Sequence, residues 1–237
     1  MNYYEKYGSV KKMNRIKSRN LIQRFERKKF IIYEYYPFIT VGYLIFIFIS
    51  WLFYPEYSSI YPISNLGNWF LNPSPGWIFF SFGSFWEGTL LIPFYICIRK
   101  KLDSLNKNSA WMGTTANLIG SIGLIVISFF PNIIQFQIIH ETGAFLAFSG
   151  FFMGNIFYYI ALLKLFKKER KFSLKMFIFA LATIFIPILT GIFIFQYFYT
   201  NILGCLNPLF EWIMFFLIIF QALVIYILIP EKPVQNI

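Results

Sequence analysis

A chain of 237 residues that is 58% apolar, 23% aromatic and 13% charged cannot hide its hydrophobic side chains in a soluble core, because soluble domains carry about 25% charged residues. The mean hydropathy of +0.60 directs the surplus towards lipid. Two separated cysteines, Cys97 and Cys205, and a single histidine, His140, exclude a disulfide framework, a structural zinc site and a three-histidine metal centre, so no metal and no cofactor is expected.

Residues 1–36 form a basic arm with ten Lys and Arg and three Glu. So long a polar stretch ahead of the first apolar run does not fit a cleavable secretory signal, which opens on a short charged region. Ile16, Leu21, Ile22, Phe25 and Phe30 are scattered among the cations of the arm. That pattern suits either an interfacial helix on anionic headgroups or a disordered basic leader.

Six apolar segments follow, at 37–54, 77–98, 110–130, 133–163, 176–199 and 208–230. Each is near the roughly 20 residues that a helix needs to span hydrocarbon, and the longer fourth is expected to tilt or project. The expected fold is all-α, a bundle of six transmembrane helices over 37–230 with a short tail at 231–237. The connections alternate in charge. All 21 Lys and Arg fall in the arm, in 99–109, in 164–175 and in the tail, whereas 55–76, 131–132 and 200–207 carry none. The positive-inside rule then places both termini in the cytoplasm, with the cell membrane as the expected location. The net charge of +11 is this topology signal and calls for no nucleic acid.

Local signals support the helix ends. Pro37, Pro208 and Pro131 suit first turns, and Asn132 with Gln135 three residues on reads as a cap for helix four. Pro93 and Pro187 fall inside helices two and five, where kinks are expected. Helix three carries a small, polar stripe (Gly113, Thr114, Asn117, Gly120, Ser121), and helix four carries Gly143, Ala147, Gly150 and Gly154. Such stripes let backbones approach closely, so these two helices are expected to pack against each other. No internal repeat marks an inverted-repeat transporter.

Chemistry concentrates in the extracytoplasmic half, which holds four acids and no cation: Glu56, Glu87, Glu141 and Glu211. Glu87 lies about 15 Å into helix two, and His140 about 12 Å along helix four from Asn132, at 1.5 Å per residue. Their depths match, and pairing them would offset the burial cost of each. Glu141 points about 100° away from His140 on a regular helix. Glu211, in the first turn of helix six, reads as an interfacial acid that suits the helix dipole. The long connection 55–76 is expected to form a structured lid, with Ser64 and Asn65 turned towards Glu87 and His140. The candidate binding residues are therefore Ser64, Asn65, Glu87, His140 and Glu141, with His140 and Glu87 as catalytic candidates.

The segment YPISNLGNWFLNP before helix two, and SFFPNIIQFQIIHETGAFLAF across helices three and four, resemble the six-pass domain-of-unknown-function 998 family and are similar to the related Frag1/DRAM/Sfk1 group. Ile63, Ser64, Leu66 and Gly67 match the stretch that follows helix one in those proteins. Phe130, Pro131 and His140 match an "FP" followed by the histidine that opens helix four. Asn65 stands where the first motif usually carries an acid. The resemblance implies a polytopic protein of poorly defined activity, with eukaryotic relatives tied to lipid remodelling, membrane organisation and autophagy.

Three readings follow. The first is a lipid-handling or membrane-organising protein whose pocket holds a headgroup. Lack of external cations disfavours a phosphate there, and a zwitterionic or cationic headgroup, or an amine, fits better beside aromatics. The second is an intramembrane lipid-modifying enzyme with His140 as general base and Glu87 orienting it. The third is a proton-coupled transporter that titrates Glu87 and relies on Asn117, Asn155 and Gln221 for a polar path.

Overall fold

A computed structural model describes residues 34–54, 62–168 and 207–229, together with Phe30, Phe185, Ile188, Leu189 and Ile192. Nearly all of the basic arm, the body of the fifth apolar segment with Pro187, the lid residues 55–61 and the tail lie outside the described residues. Among the described residues every regular element is a helix. They are α1 (Tyr36–Leu52), a 3-10 helix (Ile63–Gly67), α2 (Gly76–Phe129), α3 (Gln137–Lys168) and α4 (Asn207–Leu228).

Helix α1 starts with Pro37 in its first turn, where a missing N–H costs nothing. It buries Tyr36, Ile39, Tyr43, Ile47 and Ser50, one stripe at three- and four-residue spacing. The opposite face exposes Phe38, Val41, Ile45, Phe48 and Leu52. A helix that is apolar on its outward face as well as its inward one is what a hydrocarbon solvent selects. Two helices, α2 and the Gln137–Leu163 part of α3, are long and apolar enough to cross a membrane, and α1 and the Glu211–Ile225 part of α4 are shorter apolar helices.

Helix α2 contains the predicted helices two and three in one run of 54 residues. A straight helix of that length would extend about 80 Å. It breaks at Asn106, whose extended backbone (φ −156°, ψ 96°) divides it into arms 76–105 (α2a) and 107–129 (α2b). The Asn106 side chain caps the return arm, with Nδ2 donating to Ser109 Oγ at 2.8 Å and Oδ1 accepting from Ser109 N at 3.4 Å. Asn competes for backbone groups in this way and so favours helix starts over helix interiors. The basic stretch 99–109 is therefore helix on both sides of one residue rather than a loop. Pro93, where a kink was expected, keeps helical dihedrals.

The arms fold back antiparallel. A Cβ on Gly88 would lie 2.8 Å from the Ser121 carbonyl, and the Phe85 and Phe129 rings stand 5.7 Å apart. Helix α3 returns alongside α2b on the glycine seam that the sequence predicts. A Cβ on Gly123 would lie 2.4 Å from Ala147 N, and one on Gly150 would lie 2.4 Å from Gly120 N and 2.7 Å from Ala116 O. Such a contact needs glycine because the neighbour is backbone and cannot swing away. Deeper in the bundle, Thr114 Oγ1 and the Tyr158 hydroxyl share a hydrogen bond of 2.8 Å, and Asn155 Nδ2 donates to Gln221 Oε1 at 2.8 Å to tie α3 to α4.

Helix four starts later than expected, at Gln137, and Asn132 does not cap it. Residues 131–136 make a turn instead, closed by Ile133 N to Pro131 O at 2.8 Å and Phe136 N to Ile133 O at 2.9 Å. The Asn132 carbonyl accepts from Asn68 Nδ2. The bundle thus has a basic end at Asn106 and a loop end formed by 62–76 and 130–136. The loop end is ordered around Asn72, which is fully buried and whose Nδ2 donates to Leu66 O (2.8 Å), Ser50 Oγ (3.0 Å) and Ser50 O (3.3 Å).

Gly150→Ala is expected to destabilise the protein by about 1–3 kcal/mol through overpacking of the seam, because the new methyl meets backbone atoms of Gly120 and Ala116. Gly42→Ala meets only the Trp86 ring edge, at 2.9 Å, and should cost less. Thermal unfolding of both variants in detergent measures the difference.

Candidate functional site

One cavity of about 60 Å³ opens between the helices near the loop end, and it gathers residues from every described helix. Glu87 comes from α2a, His140 and Ala144 from α3, Glu211 and Phe215 from α4, Tyr43 from α1 and Ser64 from the 3-10 helix. The remaining wall is aliphatic and aromatic.

Glu87 faces inward because of its register on α2a. Phe80, Gly83, Ser84, Glu87, Gly88 and Leu91 form the buried face, while Ile78, Phe82 and Phe85 form the exposed one. Glu87 is 6% exposed. Directing a carboxylate to the other face would place it among exposed apolar side chains, the costlier choice in a bilayer. Tyr36, Tyr43 and Tyr95 all lie within electrostatic reach of this carboxylate.

His140 lies in the first turn of α3 and is 3% exposed. Its Nδ1 is 2.8 Å from the carbonyl oxygen of Phe130, the residue that ends α2b. A terminal helix carbonyl lacks an intrahelical partner and would be left bare inside the protein. Because a carbonyl only accepts, Nδ1 must carry the proton, and the neutral ring then presents Nε2 as an acceptor. Nε2 is buried and meets no hydrogen-bond partner among the described residues.

Glu211, read from sequence as an interfacial acid, is instead 5% exposed and lines the cavity. Ser64 Oγ donates to its Oε2 at 3.5 Å, and the backbone N–H groups of Ile63 and Ser64 lie close enough to favour the carboxylate. The carboxylate thus faces the open start of the 3-10 helix, where unpaired N–H groups collect. Nothing in the spacing of helix six shows this. The signal lies in the ISNLG segment, whose first N–H groups need an acceptor once that segment turns helical.

The other predicted residues divide. Glu87, His140 and Ser64 all line the cavity. Asn65 is half-buried and Glu141 is exposed, and neither lines the cavity. Glu141 accepts from Gln137 Nε2 at 2.8 Å on the outward side of α3, the direction that its 100° offset from His140 predicts. The expected pairing of Glu87 with His140 is not formed. The single ion pair among the described residues is Arg99–Asp103, at 3.9 Å near the basic end. His140 is oriented by a backbone carbonyl rather than by Glu87, and the Ser64 hydroxyl serves Glu211 rather than the imidazole.

The arrangement is one-sided in charge. Two buried carboxylates share the cavity, while none of the six apolar segments carries a Lys or Arg. A buried charge without a partner is expensive, so these groups need a proton or a cation from outside the bundle. Among the described residues no group of three or more His, Cys, Asp or Glu is arranged to hold a metal ion.

Residues 27–228 match the family model of the Frag1/DRAM/Sfk1/Cwh43P N-terminal domain. No curated protein and no solved structure matches the chain.

Because the chain has one histidine, its imidazole can be observed by labelling without ambiguity. Nitrogen-15 NMR of histidine-labelled protein in detergent is expected to show Nδ1 as N–H and Nε2 bare. A ring protonated at Nε2 alone would contradict the Phe130 hydrogen bond.

Proposed function

The chain belongs to the Frag1/DRAM/Sfk1/Cwh43P N-terminal domain family, and from that premise we propose that it is a lipid-handling or membrane-organising protein which holds the positively charged part of a lipid headgroup between Glu87, His140 and Glu211. Family and long apolar helices together make it a membrane protein. In this reading it crosses the cell membrane six times over 37–230. The basic arm 1–36 and the tail 231–237 lie in the cytoplasm, and the cavity opens in the extracytoplasmic half. The sorting of all 21 cations to one set of connections supports that orientation. The ISNLG and FP…His motifs support closer kinship with the domain-of-unknown-function 998 proteins.

The observation that carries the proposal is that two buried carboxylates, Glu87 and Glu211, line one cavity with no Lys or Arg beside them. Anionic phosphate would add to the negative charge, whereas a cationic group would neutralise it and gain from the Tyr43, Phe80, Phe148 and Phe215 rings nearby. An intramembrane enzyme with His140 as general base is the alternative, and the free Nε2 favours it. Against it, Glu87 does not orient the ring and the Ser64 hydroxyl is engaged elsewhere. Proton-coupled transport has less support. Asn117, Asn155 and Gln221 are fully buried, and each bonds a neighbour, Gly113 O for Asn117 and each other for the remaining two.

Native mass spectrometry of the full chain, purified in detergent and offered zwitterionic and anionic lipids of equal chain length, tests the proposal. Phosphatidylethanolamine or phosphatidylcholine is expected to be retained over phosphatidylglycerol. Replacing Glu87 and Glu211 together by Gln should weaken that retention by about tenfold or more, the loss expected when a buried cation loses its counter-charges. Preference for phosphatidylglycerol would sink the reading.

A further inference from the structure

We propose that the loop end of the bundle is a lipid-binding surface, seated in the headgroup layer of the leaflet opposite the basic end rather than in water. The inference goes beyond the headgroup reading of the cavity and does not depend on it. Its first support is charge. No Asp, Glu, Lys or Arg occurs in 62–86 or in 108–140, the stretches that build the described loop end and the helices that enter it. A soluble protein draws on charged residues at about one position in four.

The second support is apolar exposure. Ile134 (90%), Ile138 (81%) and Phe70 (72%) are the three most exposed large apolar side chains among the described residues, and all three belong to this end. A patch of this kind marks a protein or membrane contact. Trp69 joins its two sides, edge-on to Trp77 at 5.8 Å and to Phe136 at 6.5 Å, and tryptophan favours the headgroup level. A groove of about 400 Å³ runs between Asn68, Leu71, Asn132 and Gln135. Uncharged donors and acceptors beside aliphatic side chains suit the boundary where ester carbonyls meet acyl chains. A soluble partner would be oriented by charges at the rim, and the described loop end offers only Glu141.

Glu141 also sets the depth. It is exposed on α3, and its carboxylate accepts from Gln137, one turn nearer the loop end. An exposed carboxylate is costly in hydrocarbon, so α3 leaves the acyl chains near this residue. Ile138 stands three residues, about 4.5 Å, further out. The headgroup layer on each side of a bilayer is roughly 5–7 Å thick, so Ile138 falls within it.

Nitroxide labels on Ile134→Cys and Ile138→Cys test this in the full chain reconstituted in phosphatidylcholine vesicles. Power-saturation EPR reads their collisions with oxygen and with a water-soluble nickel chelate. The wild-type chain, labelled in parallel, gives the background from Cys97 and Cys205. Lys107→Cys, exposed at the basic end, calibrates water, and Val41→Cys, exposed on the outward face of α1, calibrates hydrocarbon. The oxygen-to-nickel ratio at both isoleucine sites is expected to exceed that at Lys107 several-fold and to stay below that at Val41. A ratio equal to that at Lys107 puts the loop end in water and overturns the proposal. A ratio equal to that at Val41 puts the patch among acyl chains and overturns the headgroup assignment. Few collisions with either reagent mean that protein covers the patch, a second copy or another partner, which overturns the proposal too. Phe70→Cys reads the same ratio if an isoleucine variant does not fold.

Discussion

Backbone contact between α2b and α3 is the constraint from which the rest of the arrangement follows. With Gly123 set against Ala147 and Gly143, and Gly150 against Gly120 and Ala116, backbone meets backbone at two levels of the seam, while the Phe151 and Tyr158 rings pack on Gly120 and Gly113. Lipid offers no hydrophobic drive to bring helices together, so this closeness must come from van der Waals contact and from matched polar groups. Once the helices are that close, the chain has only residues 130–136 in which to turn between them. Helix α3 therefore starts within reach of the last carbonyl of α2b, and His140 falls where its ring can bond that carbonyl. The tautomer of the imidazole is thus a consequence of glycine packing several turns away.

The cavity follows from the same geometry. Glycines at 83 and 88 on α2a bring that arm against α1 and α2b, and Glu87 lies between the two contact lines. Helix α4 closes the remaining side through Phe215 and Ile218, and the 3-10 helix lies over the top with Gly67 against Phe80. Glu87 and Glu211 are inside because the outward faces beside them, Ile78, Phe82 and Phe85 on α2a and Phe216 and Phe220 on α4, are apolar, as a hydrocarbon surround demands. What results is a largely apolar pocket lined by two carboxylates, in a scaffold whose own cations are all held in the connections and termini.

How much of this could be read from residues alone depends on range. The seam between α2b and α3 was legible, because small residues at three- and four-residue spacing have one common use in lipid-facing helices. The shared depth of Glu87 and His140 was legible from counting along two helices that run the same way. The break at Asn106 was not, since four cations within nine residues read as a loop, yet Lys and Arg are good helix formers and α2a simply continues through them. Glu211 was misjudged because its partners belong to a 3-10 helix nearly 150 residues earlier, and helix-dipole reasoning considers only the helix in hand. Asn65 and Glu141 neighbour cavity-lining residues in sequence but do not line the cavity, because a helix turns adjacent side chains to different faces. Asn132 has the chemistry of a cap but is used by its carbonyl, in a turn that local patterns did not separate from the helix.

The loop end is secured by two asparagines. Asn72 bridges α1 to the 3-10 helix, and Asn68 joins the same segment to the turn before α3. Exposed segments of membrane proteins are often stapled by sulfur instead, and such staples fail when thiols are restored. Here the cross-links are carboxamides, and Cys97 is buried within α2. These described cross-links contain no sulfur, so a reductant that opens disulfide-bonded domains has no bond to break in Asn68 or Asn72.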